Sequence, residues 1–83
     1  MTPDETVRRV IDKHGKLRSA AATLSLDADL FAEGMTSHAS VNVMLACEDA
    51  FDIEFPDDLL TKSTFCSIRS ILAAVEGLQE AAA

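Results

Sequence analysis

Apolar residues return at intervals of three and four in three stretches of this 83-residue chain. Val7, Val10, Ile11 and His14 mark the first stretch. Val43, Cys47, Ala50 and Phe51 mark the second, and Phe65, Ile68, Leu72, Val75 and Leu78 the third. That spacing belongs to the α-helix and not to the strand. The first helix is predicted over about 3–14: Thr2 caps it, Pro3 suits its first position, and Glu5 completes a Thr-x-x-Glu capping box. Gly15 reads as its stop. The second helix is predicted over about 37–51. The last runs over about 64–78, capped by Ser63 or Thr64, and residues 79–83 form a frayed tail.

Between these stretches the period fails. Residues 16–36 scatter Leu24, Leu26, Leu30, Phe31 and Met35 among Ser, Asp, Ala and Gly, the pattern of a long loop whose apolar side chains plug a core. Loops of that length in a small domain are uncommon and often functional. In Asp52–Leu60 (DIEFPDDLL), Pro56 holds Phe55 extended, and a short helix is predicted over about 57–61. The expected fold is all-α: a small four-helix bundle, three main helices plus one short helix, in a single domain spanning 1–83. His38, Val41, Asn42 and Leu45 form a second stripe on the second helix, so its apolar surface is wider than one core needs. Either this helix is central to the bundle, or part of it faces a partner.

Composition narrows the function. With 48% hydrophobic residues the chain is globular, and its core is worth only about 3–5 kcal/mol net. No run approaches the ~20 apolar residues of a membrane span, and the N-terminus lacks the apolar segment of a secretory signal. Cys47 and Cys66 are isolated, without metal-type spacing, and read as small hydrophobes of a reducing compartment, here the cytoplasm. Of the formal charge of −7, the acidic part is concentrated. From Ser19 to Thr61 there is no Lys or Arg, but there are nine carboxylates. Such a segment repels nucleic acid and attracts basic protein surfaces.

Several chemistries are excluded on geometry. Ser37 and His38 are sequence neighbours and point ~100° apart on a helix, which is no nucleophile–base pair. Asp27-Ala-Asp29 lacks the third ligand, the glycine and the terminal carboxylate of a calcium loop. The second helix has no basic residue with which to read DNA. No catalytic and no metal-binding residue is expected. What remains is Glu33–Ser40 (EGMTSHAS), where Thr36, Ser37 and Ser40 crowd a helix start that needs one cap. Taken alone, the residues allow two readings. In one, the hydroxyls merely cap and Gly34 merely turns. In the other, Thr36 caps and Ser37 is an attachment point for a phosphate, favoured by the unpaired N–H groups of the helix end.

The stretch from Asp29 to Glu76 resembles the acyl and peptidyl carrier proteins, which bear 4′-phosphopantetheine. The residues concerned are Asp29-Leu30-Phe31, Gly34-Met-Thr-Ser37, the apolar-acidic helix Val41–Phe51, and Asp52-Ile-Glu-Phe-Pro56-Asp57. The resemblance implies an acyl-carrier-protein-like fold with the arm on Ser37, added from coenzyme A by a phosphopantetheinyl transferase. It also implies a cargo held as a thioester and no activity of the domain's own. Partners would dock through Thr36, His38, Val41, Asn42 and Leu45, with Glu48, Asp49, Asp57 and Asp58 steering them. Thr36 and His38 depart from the family's usual acidic residue and leucine on either side of the serine. Ala39 and Asn42 stand where fatty-acid carriers often have carboxylates. The phrases Gly34–Val41 and Phe51–Asp58 are similar to a bacterial subgroup of stand-alone carriers. Ligases related to seryl-tRNA synthetase cores load those with small amino acids. On this resemblance the chain is a monomer that meets an acyl- or amino acid:carrier protein ligase and a downstream acceptor enzyme, with no nucleic acid or membrane partner. Two alternatives are a carrier of fatty-acid or polyketide-type groups and an acidic helical domain that binds partners non-covalently.

Overall fold

The computed structural model describes residues 2–82, and among them the regular structure is entirely helical. α1 spans Pro3–His14, α2 Ser37–Phe51, α3 Lys62–Phe65 and α4 Ile68–Ala82, with 3-10 turns at Ala21–Thr23 and Asp57–Leu59. α1 packs against both α2 and α4, and α3 bridges α2 to α4. The core is assembled from Val7 and Ile11, from Ala39, Val43 and Cys47, and from Ile68, Ile71 and Val75. The connections contribute Ala21, Leu30, Met35 and Phe55.

α1 begins where Thr2 accepts from the Glu5 N–H at 3.2 Å, while the Thr2 hydroxyl donates to the Glu5 carboxylate. Gly15 ends it for a different reason from the one its position suggests. Its backbone is right-handed, and the left-handed residue is Lys16. A Cβ on Gly15 would lie 2.8 Å from the Ile11 carbonyl oxygen, so the glycine provides room for a close backbone approach.

The long loop is held by polar groups whose partners are main-chain atoms. Arg8 donates to the carbonyls of Ala21 and Leu24 at 2.6 and 2.7 Å, and the Asp12 carboxylate accepts from the Ala21 N–H at 2.7 Å. Further on, the Arg69 N–H donates to Leu26 O and the Leu30 N–H to Cys66 O. The Arg69 guanidinium also forks onto the Asp27 carboxylate at 2.6 and 3.1 Å. That hydrogen bond, with the guanidinium charge, holds the Asp27 carboxyl below its ordinary range. Its stabilising effect is present above the ordinary carboxylate range and is lost as pH falls through the lowered value. The exposure of both side chains keeps it small.

The second half of the chain departs from the sequence expectation in four places. The helix predicted over 64–78 is two helices, because Ser67 starts a new one. Ser67 Oγ accepts from the Ser70 N–H at 3.1 Å and Ser70 Oγ accepts from the Ser67 N–H at 3.2 Å, a reciprocal box made by two serines. The even spacing of Phe65, Ile68 and Leu72 conceals this break. The tail predicted to fray from 79 is helical through Ala82, where Gln, Glu and Ala favour the helix; residue 83 lies outside the described residues. The short helix predicted over 57–61 is only the 3-10 turn at Asp57–Leu59. Ala50, predicted to face the core, is exposed, and Ala39 is buried in its stead.

Leu30 is fully buried although it belongs to a loop. Leu30→Ala is expected to cost about 2–5 kcal/mol in urea unfolding followed by circular dichroism. Leu45→Ala, at a side chain 53% exposed, should stay within about 0.5 kcal/mol of the parent.

Candidate functional site

The approach to α2 is a tight turn fixed by Asp29. Its Oδ1 accepts from the N–H groups of Phe31 and Ala32 at 3.0 and 3.3 Å, curling the chain so that Leu30 enters the core and Phe31 remains half-buried. Leu30 O then accepts from the Glu33 and Met35 N–H groups. Gly34 sits at φ +113°, a conformation that L side chains rarely adopt, and Arg18 lies against its open side. Met35 is buried, and Thr36 follows as the N-cap of α2.

At that cap the three hydroxyls divide. Thr36 Oγ1 accepts from the Ala39 N–H at 3.0 Å. Ser40 Oγ turns back on the helix and donates to Ser37 O at 2.6 Å. The Ser37 hydroxyl takes part in neither bond, and Ser37 is exposed at the first position of the helix. It also forms one edge of a groove of about 280 Å³. Ser40, Val41 and Met44 extend this wall along α2, and Phe31, Leu60, Lys62 and Phe65 make up the rest.

At 100° per residue, Ala39, Val43 and Cys47 point into the core, and Val41, Leu45 and Asp49 lie on the far side with His38 and Asn42. Val41 and Leu45 are 49% and 53% exposed, a large apolar surface for so short a helix. Ser37 stands where this outer face meets the groove. Thr36 and His38 are exposed beside it and Asn42 is half-buried. Ala39, which stands where fatty-acid carriers often have a carboxylate, is a core residue at 3% exposure.

The acidic residues of α2 are not at this end. Glu48 lies eleven residues along α2, ~16 Å from Ser37, and it is occupied: its Oε2 accepts from the Phe55 N–H at 2.8 Å. That bond sets Phe55 against Phe65, their ring centroids 5.4 Å apart, and so helps to place α3. Asp49, Asp57 and Asp58 are exposed, and none of the side-chain hydrogen bonds or ion pairs among the described residues engages them. Asp57 borders a depression with Glu54 and Pro56, none of which lines the groove at Ser37. Sequence reasoning grouped the four acidic residues. The structure separates a structural Glu48 from three exposed carboxylates, and the buried Phe55 amide that Glu48 serves leaves no sequence signal.

Residues 14–75 match the family model described as a phosphopantetheine attachment site. The chain belongs to this family of carrier domains. Over 66 residues, 80% of either chain, it is 48% identical to an aminoacyl carrier protein of Agrobacterium fabrum strain C58. It is similar, at 45% identity and a TM-score of 0.85, to the Agrobacterium tumefaciens carrier protein seen with an engineered Bradyrhizobium japonicum glycine:[carrier protein] ligase and AMP. That match covers 88% of this chain and 97% of the other. The solution structure of an Agrobacterium tumefaciens protein matches at 42% identity and a TM-score of 0.75, covering 95% of each chain. The prosthetic group of the family is 4′-phosphopantetheine, and the start of α2 fits it: an exposed hydroxyl that no side-chain hydrogen bond among the described residues engages, at the N-terminus of a helix, with a groove alongside. Among the described residues no helix is long and apolar enough to cross a membrane, and no cluster of His, Cys, Asp and Glu is arranged to hold a metal ion.

The cysteines of the carrier domain stand apart from this site. Neither lines the groove. Cys47 is buried, and burial pushes its thiol from an ordinary 9.0 up to about 11. Cys66 is half-buried, its Sγ donating to Ser63 O. Iodoacetamide at pH 8 should therefore alkylate Cys66 in the native protein and reach Cys47 only after denaturant is added, as peptide mass spectrometry will show. Because the unfolded chain ionises first, the contribution of Cys47 to stability is intact below pH ~9 and declines as pH rises toward about 11.

Proposed function

We propose that Ser37 bears the phosphopantetheine arm and that the domain is an aminoacyl carrier, a non-catalytic monomer of the cytoplasm. The observation carrying this reading is the division of hydroxyls at α2: Thr36 and Ser40 are engaged with the helix and Ser37 is not. The arm supplies a terminal thiol on which a cargo is held as a thioester. Everything else is done by the chain. Asp29 and Gly34 set the turn that presents the serine. Thr36 caps the helix, so that the Ser37 hydroxyl remains available to displace the nucleotide portion of coenzyme A within a phosphopantetheinyl transferase. The hydroxyl proton leaves to that enzyme, since no base of this chain is hydrogen-bonded to Ser37 among the described residues.

A small amino acid is the favoured cargo. Two observations support it: the likeness to an aminoacyl carrier protein and to a carrier seen with a glycine:[carrier protein] ligase, and the first turn of α2 at Ser37, which holds no Asp, Glu, Lys or Arg. Thr36, His38, Val41, Asn42 and Leu45 then form the contact face for an amino acid:carrier protein ligase and for the acceptor enzyme downstream. Asp49, Asp57 and Asp58 steer the approach, and Glu48 acts indirectly through Phe55. A carrier of longer acyl groups is the second reading, and a cargo assay separates the two.

Incubation of the apo protein with coenzyme A and a broad-specificity transferase should add one phosphopantetheinyl group by intact mass. Ser37→Ala should abolish the gain, while Ser40→Ala should keep it. A gain that survives Ser37→Ala overturns the assignment. Asp49→Lys should lower the rate of loading by a ligase several-fold at low salt and much less at high salt, with the urea midpoint unchanged. Glu48→Lys, in contrast, should lower the urea midpoint, because the Phe55 amide loses its acceptor.

A further inference from the structure

Lys62 is the one charged residue that lines the groove beside Ser37. It is exposed, and its Nζ lies over the Phe31 ring, 5.0 Å from the centroid. Neither ion pair among the described residues involves it. Its position in the charge pattern is equally isolated, because Ser19–Thr61 contains no Lys or Arg. The nearest basic residue on the other side of the site is Arg18, packed against Gly34. Ser37, Phe31 and Lys62 thus line one small groove, with the ammonium resting on the Phe31 ring.

We propose that Lys62 is a phosphate-responsive latch: its ammonium rests on Phe31 in the unmodified chain and moves to the phosphodiester when Ser37 is modified, uncovering the Phe31 side of the groove for the arm. The proposal rests on Ser37 being the attachment residue. An exposed ammonium on a half-buried surface ring is weakly held, whereas a charge-assisted hydrogen bond to a phosphate oxygen is among the stronger contacts available at a surface. Lys suits this better than Arg would, being a compact charge on a flexible stem with no planar preference for stacking on the ring. Once Lys62 has turned away, Phe31, Val41, Met44, Leu60 and Phe65 offer an apolar floor to the uncharged stretch of the arm. Unmodified and modified carriers then present different surfaces beside the same serine. Partners that act on one form and not the other have a feature to read.

The chain has three lysines, Lys13, Lys16 and Lys62, so the side chain can be followed by proton–carbon NMR of lysine Cε groups. Intact mass first establishes complete modification at Ser37. In the apo protein the Lys62 Hε signals should be shifted upfield by the Phe31 ring current, and Phe31→Leu should remove that shift. In the modified protein the upfield shift should collapse. The phosphorus-31 resonance should then move on Lys62→Gln and lose its dependence on salt. Lys62 signals identical in the unmodified and fully modified proteins overturn the latch and leave the attachment reading standing. A mass that places no arm on Ser37 overturns both.

Discussion

The Leu30 N–H donates to the carbonyl of Cys66 at 2.8 Å, and the Leu30 side chain beneath it is fully buried. This loop-to-bundle bond sets most of the site. Cys66 lies between α3 and α4, so the peptide that positions the 29–34 turn also fixes where α3 ends. Phe31 stands on one side of that bond and Lys62 and Phe65 on the other, and these three side chains form much of the groove. A connection of some twenty residues has a large conformational entropy to lose. Arg8 and Asp12 restrain its early part and Leu30 its late part, each through main-chain atoms, so the restraint does not depend on the side chains between them.

With the turn fixed, the chemistry of the α2 start follows from which hydroxyl does which task. A carboxylate at position 36 would cap the helix as well as Thr36 does. It would also place a negative charge next to any phosphate on Ser37. Thr36 satisfies the Ala39 N–H without that charge, and the N–H groups left over keep their partial positive character for the neighbour. The departure of this chain from the usual acidic residue before the serine is therefore neutral for the helix and favourable for a phosphodiester. Its effect is on partners, which meet an uncharged first turn.

The helices were legible wherever a period stood between clear punctuation, as with Thr2, Pro3 and Glu5 before α1 or Thr36 before α2. Ser37 was singled out because its stretch contains more hydroxyls than a cap uses. What escaped the reading depended on contacts at long sequence separation or on two equally spaced patterns. The α3–α4 break interrupts no hydrophobic period, and its only trace is Ser67-x-x-Ser70, whose hydroxyls cap each other's amides. Ala39 and Ala50 are indistinguishable by composition, and only the packing of α1 on α2 decides which is buried. Gly15 and Gly34 illustrate the same point: one glycine yields space to a carbonyl, the other adopts a positive φ, and the letter does not say which.

Net charge alone would make this a generic acidic binding domain, and the structure argues against weighing the charge that way. Asp4 is paired with Arg8, Asp12 with the Ala21 amide, Asp27 with Arg69, Asp29 with its own turn and Glu48 with Phe55. These carboxylates hold the fold together, and the field turned outward comes from exposed carboxylates outside these bonds, Asp49, Asp52, Glu54, Asp57, Asp58, Glu76 and Glu80. Asp49 lies ~18 Å along the helix from Ser37, well beyond the ~8 Å Debye length at physiological salt. Carboxylates so placed bring a basic surface to the domain without specifying which atom it reaches. Register at the serine must come from short-range contacts, and Val41 and Leu45 are the exposed apolar side chains positioned to make them. Asp49 on α2 and Asp57 and Asp58 on the 3-10 turn after it thus place their charge outside the first turn of α2, which itself holds no Asp, Glu, Lys or Arg.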